Sequence, residues 1–255
     1  MGARHIAFAI DETLFAELIQ RSLADVLISL LPESDHLAEE RSFISWTSPA
    51  EGDISIRFHG QGKLHLCHNA RCRVLEPADV RQLPYLSLTV RDFVTSNTSY
   101  QLGWFLDILA RSRTYDFVRY LVDHLRRQWV FSLLESAEYW FGTECPKYVS
   151  LHRLCHKLLR LSGTQDELHV VPFPVIPRDD GDFYMGAWSA DETKEVLVYC
   201  EELLNIGAKF SRYNSMSYPE TDEGWDAWIR QIIEDLSGLG RDGYRRPIVI
   251  GFYST

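Results

Sequence analysis

The chain has 255 residues, with 36 acidic against 26 basic side chains and a formal charge of −10. Apolar residues are 45% and charged residues 24%, which excludes a disordered chain that lacks the apolar surface to offset its ordering entropy. The acidic balance excludes a general nucleic-acid binder, which must replace phosphate counterions with Lys and Arg.

In chain order, Arg4–Ile10 reads as a strand, and Asp11 as the N-cap of a helix. Leu14, Phe15, Leu18, Ile19, Leu23, Val26, Leu27, Leu30 and Leu31 recur at helical spacing. They predict one helix of about five turns ending near Pro32. Phe43–Trp46 is a short strand. Ile54, Ile56 and Phe58, then Leu64 and Leu66, alternate with polar residues around His59-Gly60-Gln61-Gly62. That pattern predicts a β-hairpin. Cys72–Leu75 and Leu86–Val94 are read as further strands of an antiparallel sheet with one wet face.

From Tyr100 the pattern is helical. Helices are predicted over Tyr100–Ser112, over Asp116–Phe141, and from Pro146 to about Leu161. Pro172, Pro174 and Pro177 open a loop that reaches Asp182. Ser189 and Glu192 form an S-x-x-E capping box for a helix to about Gly207. Asp222–Leu236 carries a Trp/Ile/Leu stripe, and Gly238 and Gly240 are read as its stop. Pro247–Tyr253 reads as a buried strand that lies beside the first. The fold class expected is α+β, with an antiparallel sheet mainly from the N-terminal half and helices packed on it. The expected organisation is one domain, 1–255, with a β-rich inserted segment about 40–95.

The order His152-Arg153-Leu154-Cys155-His156-Lys157-Leu158-Leu159, then Gly186-Ala187-Trp188-Ser189-Ala190-Asp191-Glu192-Thr193, then a Trp-containing acidic helix, then Ile248-Val249-Ile250, resembles the small bacterial YfbM-like family. The resemblance covers residues about 1–25 and 148–253. Leu151-His152 stands where that family has Trp-His. The resemblance implies an α+β fold and carries no established activity.

No apolar run reaches the ~18 residues that span a bilayer. The run Ile6–Ile10 is too short for a signal-peptide core. Five scattered cysteines, Cys67, Cys72, Cys145, Cys155 and Cys200, predict reduced thiols in a cytoplasmic protein rather than a disulfide scaffold.

Four constellations bear on chemistry. His65, Cys67, His68 and Cys72 are four zinc-ligand types within eight residues. On an alternating strand, however, His68 points away from His65 and Cys67, and no second CxxC completes a site. His152, Cys155 and His156 share one helical face, as a chelating pair or as a nucleophile with its base. Arg153 stands where H-E-x-x-H has its Glu. Their Leu neighbours favour core packing. Asp179, Asp180 and Asp182, with Glu220, Asp222 and Glu223 further on, form acidic loops that suit a basic protein partner. Arg245-Arg246 precedes a strand as a charged turn.

Phosphate-cradling and hydrolase motifs such as G-x-x-x-x-G-K-[ST], G-x-G-x-x-G and G-x-S-x-G are missing from the sequence. The sequence thus points to a non-catalytic protein-binding protein with a protein partner and without cofactor, nucleic-acid or membrane association. A candidate role is an immunity protein that neutralises a toxin. A metal- or thiol-dependent enzyme using the His/Cys face and a structural or oligomerisation module are the alternatives.

Overall fold

The computed structural model describes residues 4–40, 42–48, 52–69, 71–96, 99–122, 129–159, 183–206 and 222–254. The elements divide into two compact units, with the sequence boundaries after Asp11 and before Tyr120. The second unit takes in Glu12–Arg119.

The first unit is organised on a four-stranded sheet. β1 (Arg4–Asp11), β6 (Val118–Val122), β7 (Phe183–Trp188) and β8 (Pro247–Ser254) lie in the order β6-β1-β8-β7. β1 and β8 pair antiparallel, with Ile6 opposite Phe252, Phe8 opposite Ile250 and Ile10 opposite Ile248. The last strand does return to the first. Ala7, Phe8, Ala9 and Ile10 are all buried, as are Ile248, Val249 and Ile250. Strands covered on both faces read as continuous apolar runs, which is the pattern of both segments.

Among the described residues this unit holds the helices α7 (Trp129–Phe141), α8 (Pro146–Leu159), α9 (Ala190–Asn205) and α10 (Asp222–Arg241). Their apolar stripes meet in one core. Leu151, Leu154, Cys155 and Leu158 of α8 join Val196, Cys200 and Leu203 of α9 and Ile229, Ile232, Leu236 and Leu239 of α10. α8 lies against the sheet backbone where glycines stand. A Cβ on Gly186 would come within 2.0 Å of the Lys157 carbonyl oxygen, and one on Gly251 within 3.0 Å of the Leu158 carbonyl oxygen. The capping box at Ser189 forms as the sequence predicts, with Glu192 N donating to Ser189 Oγ and Ser189 N to Glu192 Oε2.

Several segments differ from the sequence reading. α10 does not stop at Gly238 or Gly240 but runs to Arg241. A glycine inside a helix costs only about 1 kcal/mol, and the completely buried Leu239 holds this turn in the core. The stop is Gly243, at φ +89°. Tyr244 N donates to Leu239 O and Gly243 N to Gly240 O, which is a Schellman cap. The segment 116–141 is not one helix, because β6 occupies Val118–Val122 on the edge of the sheet beside β1. Phe183–Trp188, to which the sequence pattern assigns no strand, forms β7; Gly186 weakens the strand pattern there. Asp11 stands directly before the first helix, Glu12–Leu18, in the position where the sequence places an N-cap. It ends β1, is buried, and its Oδ2 accepts from Arg245 N at 2.8 Å.

The second unit starts with α1 (Glu12–Leu18), α2 (Leu23–Leu30), a 3₁₀ turn at Leu31–Glu33 and α3 (Ser34–Glu39). The predicted five-turn helix is thus broken at residues 19–22. There the backbone bonds laterally instead: Leu23 N donates to Leu88 O, Val90 N to Arg21 O and Arg91 N to Ile19 O. Ser22 then caps α2, its Oγ accepting from Asp25 N. The partner segment, whose Leu86–Val94 the sequence suggests as strand, is a 3₁₀ turn (Pro84–Leu86) followed by α5 (Val90–Thr95). Thr89 caps α5, accepting from Asp92 N.

β2 (Phe43–Ser48), β3 (Gly52–Gly60), β4 (Lys63–His68) and β5 (Arg71–Leu75) form an antiparallel meander, each strand paired to the next. α4 (Pro77–Val80) follows it. The β3–β4 turn carries positive φ at Gly60, Gln61 and Gly62. α3 holds it, since Gln61 N donates to Asp35 Oδ1 and Gly62 N to Ser34 Oγ. α6 (Ser99–Arg111) packs along β2.

Candidate functional site

The β2–β5 sheet has two unlike faces because its strands alternate. Ile44 and Trp46, Ile54, Ile56 and Phe58, Leu64 and Leu66, and Leu75 are buried on one side. The register places Ser45 opposite Ser55, Ser55 opposite Cys67, and Cys67 opposite Cys72 on the other side. This polar side holds a concavity of about 800 Å³, bordered by Thr47, Asp53, Arg57 and Asn69 as well as the two cysteines.

α6 supplies one wall. Gln101 Oε1 accepts from Ser45 N at 3.3 Å, which satisfies a donor on the edge strand β2. Its Nε2 donates to Ser45 Oγ. Trp104 lies on Phe43 with ring centroids 4.3 Å apart. The Arg57 guanidinium sits 5.0 Å above the other side chain of this corner, the Phe43 ring, a cation–π contact that positions the charge. At the far end Thr47 Oγ1 donates to Asp53 Oδ1 at 2.9 Å, and Asp53 N donates to Asn69 Oδ1.

Cys67 and Cys72 form a disulfide across the β4–β5 pair. This corrects the expectation of reduced thiols. It also takes up both thiolates that the zinc alternative at His65, Cys67, His68 and Cys72 requires. The imidazoles diverge as the alternation predicts. His65 lies against His59 on the polar side, ring centroids 4.0 Å apart and tilted, while His68 Nε2 lies 3.5 Å from Tyr85 Oη. Burial, with the His59 and Arg57 charges, holds the His65 imidazole below its ordinary value. Among the described residues no three His, Cys, Asp or Glu are placed to share a metal ion.

In the first unit, α8 does bring His152 and His156 together, their rings stacked 3.9 Å apart. Tyr148 flanks them at 5.5 Å. Burial and then the His152 charge hold the His156 imidazole low. Cys155 is turned away into the core and is wholly buried. Burial, reinforced by Cys200, pushes its thiol well up, the reverse of what a nucleophile needs. The face that looked like a nucleophile with its bases is two half-exposed imidazoles beside a core thiol. The Leu neighbours Leu151, Leu154, Leu158 and Leu159 are the sign of this in the sequence.

Of the acidic positions, Asp179, Asp180, Asp182 and Glu220 lie outside the described residues. Asp222 and Glu223 open α10. The helices nearby carry further exposed acids, Asp191 and Glu201 on α9 and Glu234 on α10. Among the described residues no helix is long and apolar enough to cross a membrane.

Sequence reasoning missed the concavity. The alternation of residues 43–48 and 52–60 signalled a wet face, but nothing in the sequence signalled that α6 would wall it. In comparisons with known families, characterised proteins and solved structures, nothing matches this chain. The YfbM-like resemblance therefore rests on the residues quoted for it.

Proposed function

We propose that this chain is a non-catalytic binding protein whose partner is a basic protein, in the manner of an immunity protein that neutralises a toxin. One observation carries the reading. Residues 179–235 hold 14 acidic and 4 basic side chains, an excess of 10 that equals the excess of the whole chain. Such a predominantly acidic region raises encounter rates with an oppositely charged partner and disfavours like-charged ones. The burial of Cys155, whose thiol is raised, supports the same reading, because Cys155 is the nucleophile that the thiol alternative would use.

The acids that would meet the partner are Asp179, Asp180 and Asp182, with Glu220, Asp222 and Glu223. The test is co-expression with the products of the flanking genes. This chain relieves the growth inhibition that the partner causes, and the two elute as a stoichiometric complex that weakens with added salt. Reversing Asp179, Asp180 and Asp182 to Lys lowers the association rate tenfold or more by the steering argument. If no flanking product is toxic and none binds, the reading is wrong.

A further inference from the structure

We propose that the Cys67–Cys72 disulfide is a reversible thiol–disulfide exchange site for a small peptide thiol that carries a carboxylate and an ammonium group. Three observations lead there.

The first is that the disulfide has little to do as a staple. It joins residues only five apart in sequence, and the constraint a crosslink places on the unfolded chain shrinks with the loop it closes. The β4–β5 pair is already registered by four other residue pairs, from Leu64 opposite Leu75 to His68 opposite Arg71.

The second is access. Both cysteines border the open concavity of about 800 Å³, and that volume is in the range that holds a small-molecule ligand. Their exposures differ in the sense that exchange requires. Cys72 is exposed and Cys67 is 7% exposed. An incoming thiolate reaches Cys72, and Cys67 is the leaving group on the sheet side.

The third is the charge of the walls. Arg57 and Asp53 border the same space. Arg57 offers a forked donor that suits a carboxylate. Asp53, whose Oδ1 accepts from Thr47, suits an ammonium group. Ser55, opposite Cys67 in the register, adds a hydroxyl between them.

The chemistry balances. A thiolate RS⁻ attacks Sγ of Cys72, the Cys67–Cys72 bond breaks, and Cys67 leaves as a thiolate that takes up a proton. A second RS⁻ attacks the mixed disulfide, RSSR departs, and Cys72 is protonated. Two thiols are oxidised to one disulfide while the protein disulfide is reduced to two thiols; the reverse reaction uses RSSR as the oxidant.

The test uses the folded full-length chain in glutathione/glutathione-disulfide buffers, followed by intact mass. Three species are expected: the disulfide, a single glutathione adduct on Cys72, and the dithiol. Cys67→Ser removes the resolving thiol and traps the adduct on Cys72. Arg57→Gln slows exchange with glutathione about threefold or more, from the lost charge attraction, and leaves exchange with uncharged 2-mercaptoethanol unchanged. If Cys67→Ser fails to fold, the wild-type and Arg57→Gln rates decide the matter alone. A disulfide that glutathione reduces only when the chain unfolds overturns the proposal. So does an Arg57→Gln effect that is equal for the two thiols.

Discussion

The indole N–H of Trp188 donates to the backbone carbonyl of Leu154 at 2.6 Å, and both residues are wholly buried. The last residue of β7 is thereby tied to the middle of α8. Trp188 is among the largest fully buried side chains described. Replacing it with Phe removes both the donor and part of the volume. The expected cost is about 2–4 kcal/mol, read as a lowered midpoint in urea unfolding. A loss below about 0.5 kcal/mol would show that the bond contributes nothing net.

Gly186 and Gly251 make a paired test of how closely α8 lies on the sheet. An added Cβ at Gly186 meets backbone atoms, the carbonyl oxygens of Lys157 at 2.0 Å and Leu158 at 2.2 Å. At Gly251 the nearest atoms stand at 3.0 Å and include the Leu158 side chain, which can turn. Gly186→Ala therefore costs about 3 kcal/mol or prevents folding, while Gly251→Ala costs about 1 kcal/mol. Thermal unfolding of the two variants side by side checks the order.

Lys157 and Glu192 form an ion pair at 2.7 Å, with side-chain exposures of 9% and 16%. Burial pushes the Glu192 carboxyl up. The Lys157 hydrogen bond, the Ser189 N–H and the Lys157 charge outweigh it, so the group sits below its ordinary value. A depressed carboxyl contributes stability above its unfolded pKa and loses it as pH falls through the folded one. Glu33 follows the same sign. Burial raises it, but donors from Thr114, Arg113 and Ser112 lower it further. Wild-type stability should thus fall below about pH 4.5, and Glu192→Gln should flatten part of that slope. Lys157→Met, which leaves a largely buried carboxylate without its partner, costs about 3 kcal/mol at neutral pH. A slope unchanged by Glu192→Gln would remove the argument.

Glu33 also closes a loop. Its two oxygens accept from Ser112 Oγ, Arg113 N, Thr114 N and Thr114 Oγ1 at 2.6–3.0 Å. Glu33→Ala orphans these donors and costs about 1–3 kcal/mol. Amide exchange at Arg113 and Thr114 should accelerate more than at the β1–β8 ladder, which locates the effect in the loop.

Alkylation separates the free thiols. Cys145 is half-buried, whereas Cys155 and Cys200 are wholly buried. Burial raises both buried thiols. Iodoacetamide should modify Cys145 in the folded chain and reach Cys155 and Cys200 only on unfolding. Rapid native labelling of Cys155 would return it to the list of nucleophiles.

Elements whose apolar spacing is strict were legible in the sequence. β1 and β8, the β3–β4 hairpin, α6, α8, and the capping box of α9 all formed where periodicity placed them, to within a few residues. Long apolar patterns were the weak point. Residues 14–31 keep helical spacing throughout, yet lateral bonds to Leu88, Val90 and Arg91 break the helix at Gln20 and Arg21. Residues 86–94 have strand-like composition, yet Thr89 caps a helix there. At 19–23 partners distant in sequence take up backbone groups, while at 90–95 local bonds capped by Thr89 make the helix.

The candidate site divides along the same line. The sequence by itself determined that the segment from 42 onward would carry a sheet with one wet face, though it extended that sheet to 95, that Cys155 would be crowded by leucines, and that acids would gather at 33–40, 179–182 and 220–226. Each of these follows from local period and composition, which neighbouring residues alone impose. Only the tertiary structure decided that Cys67 would stand opposite Cys72 and close a disulfide, because strand register is a property of two strands and of the turn between them. Only it decided that Gln101 of α6 would border the concavity on the wet face. That wall depends on an edge donor at Ser45 finding its acceptor 56 residues away, a distance over which no sequence period reports.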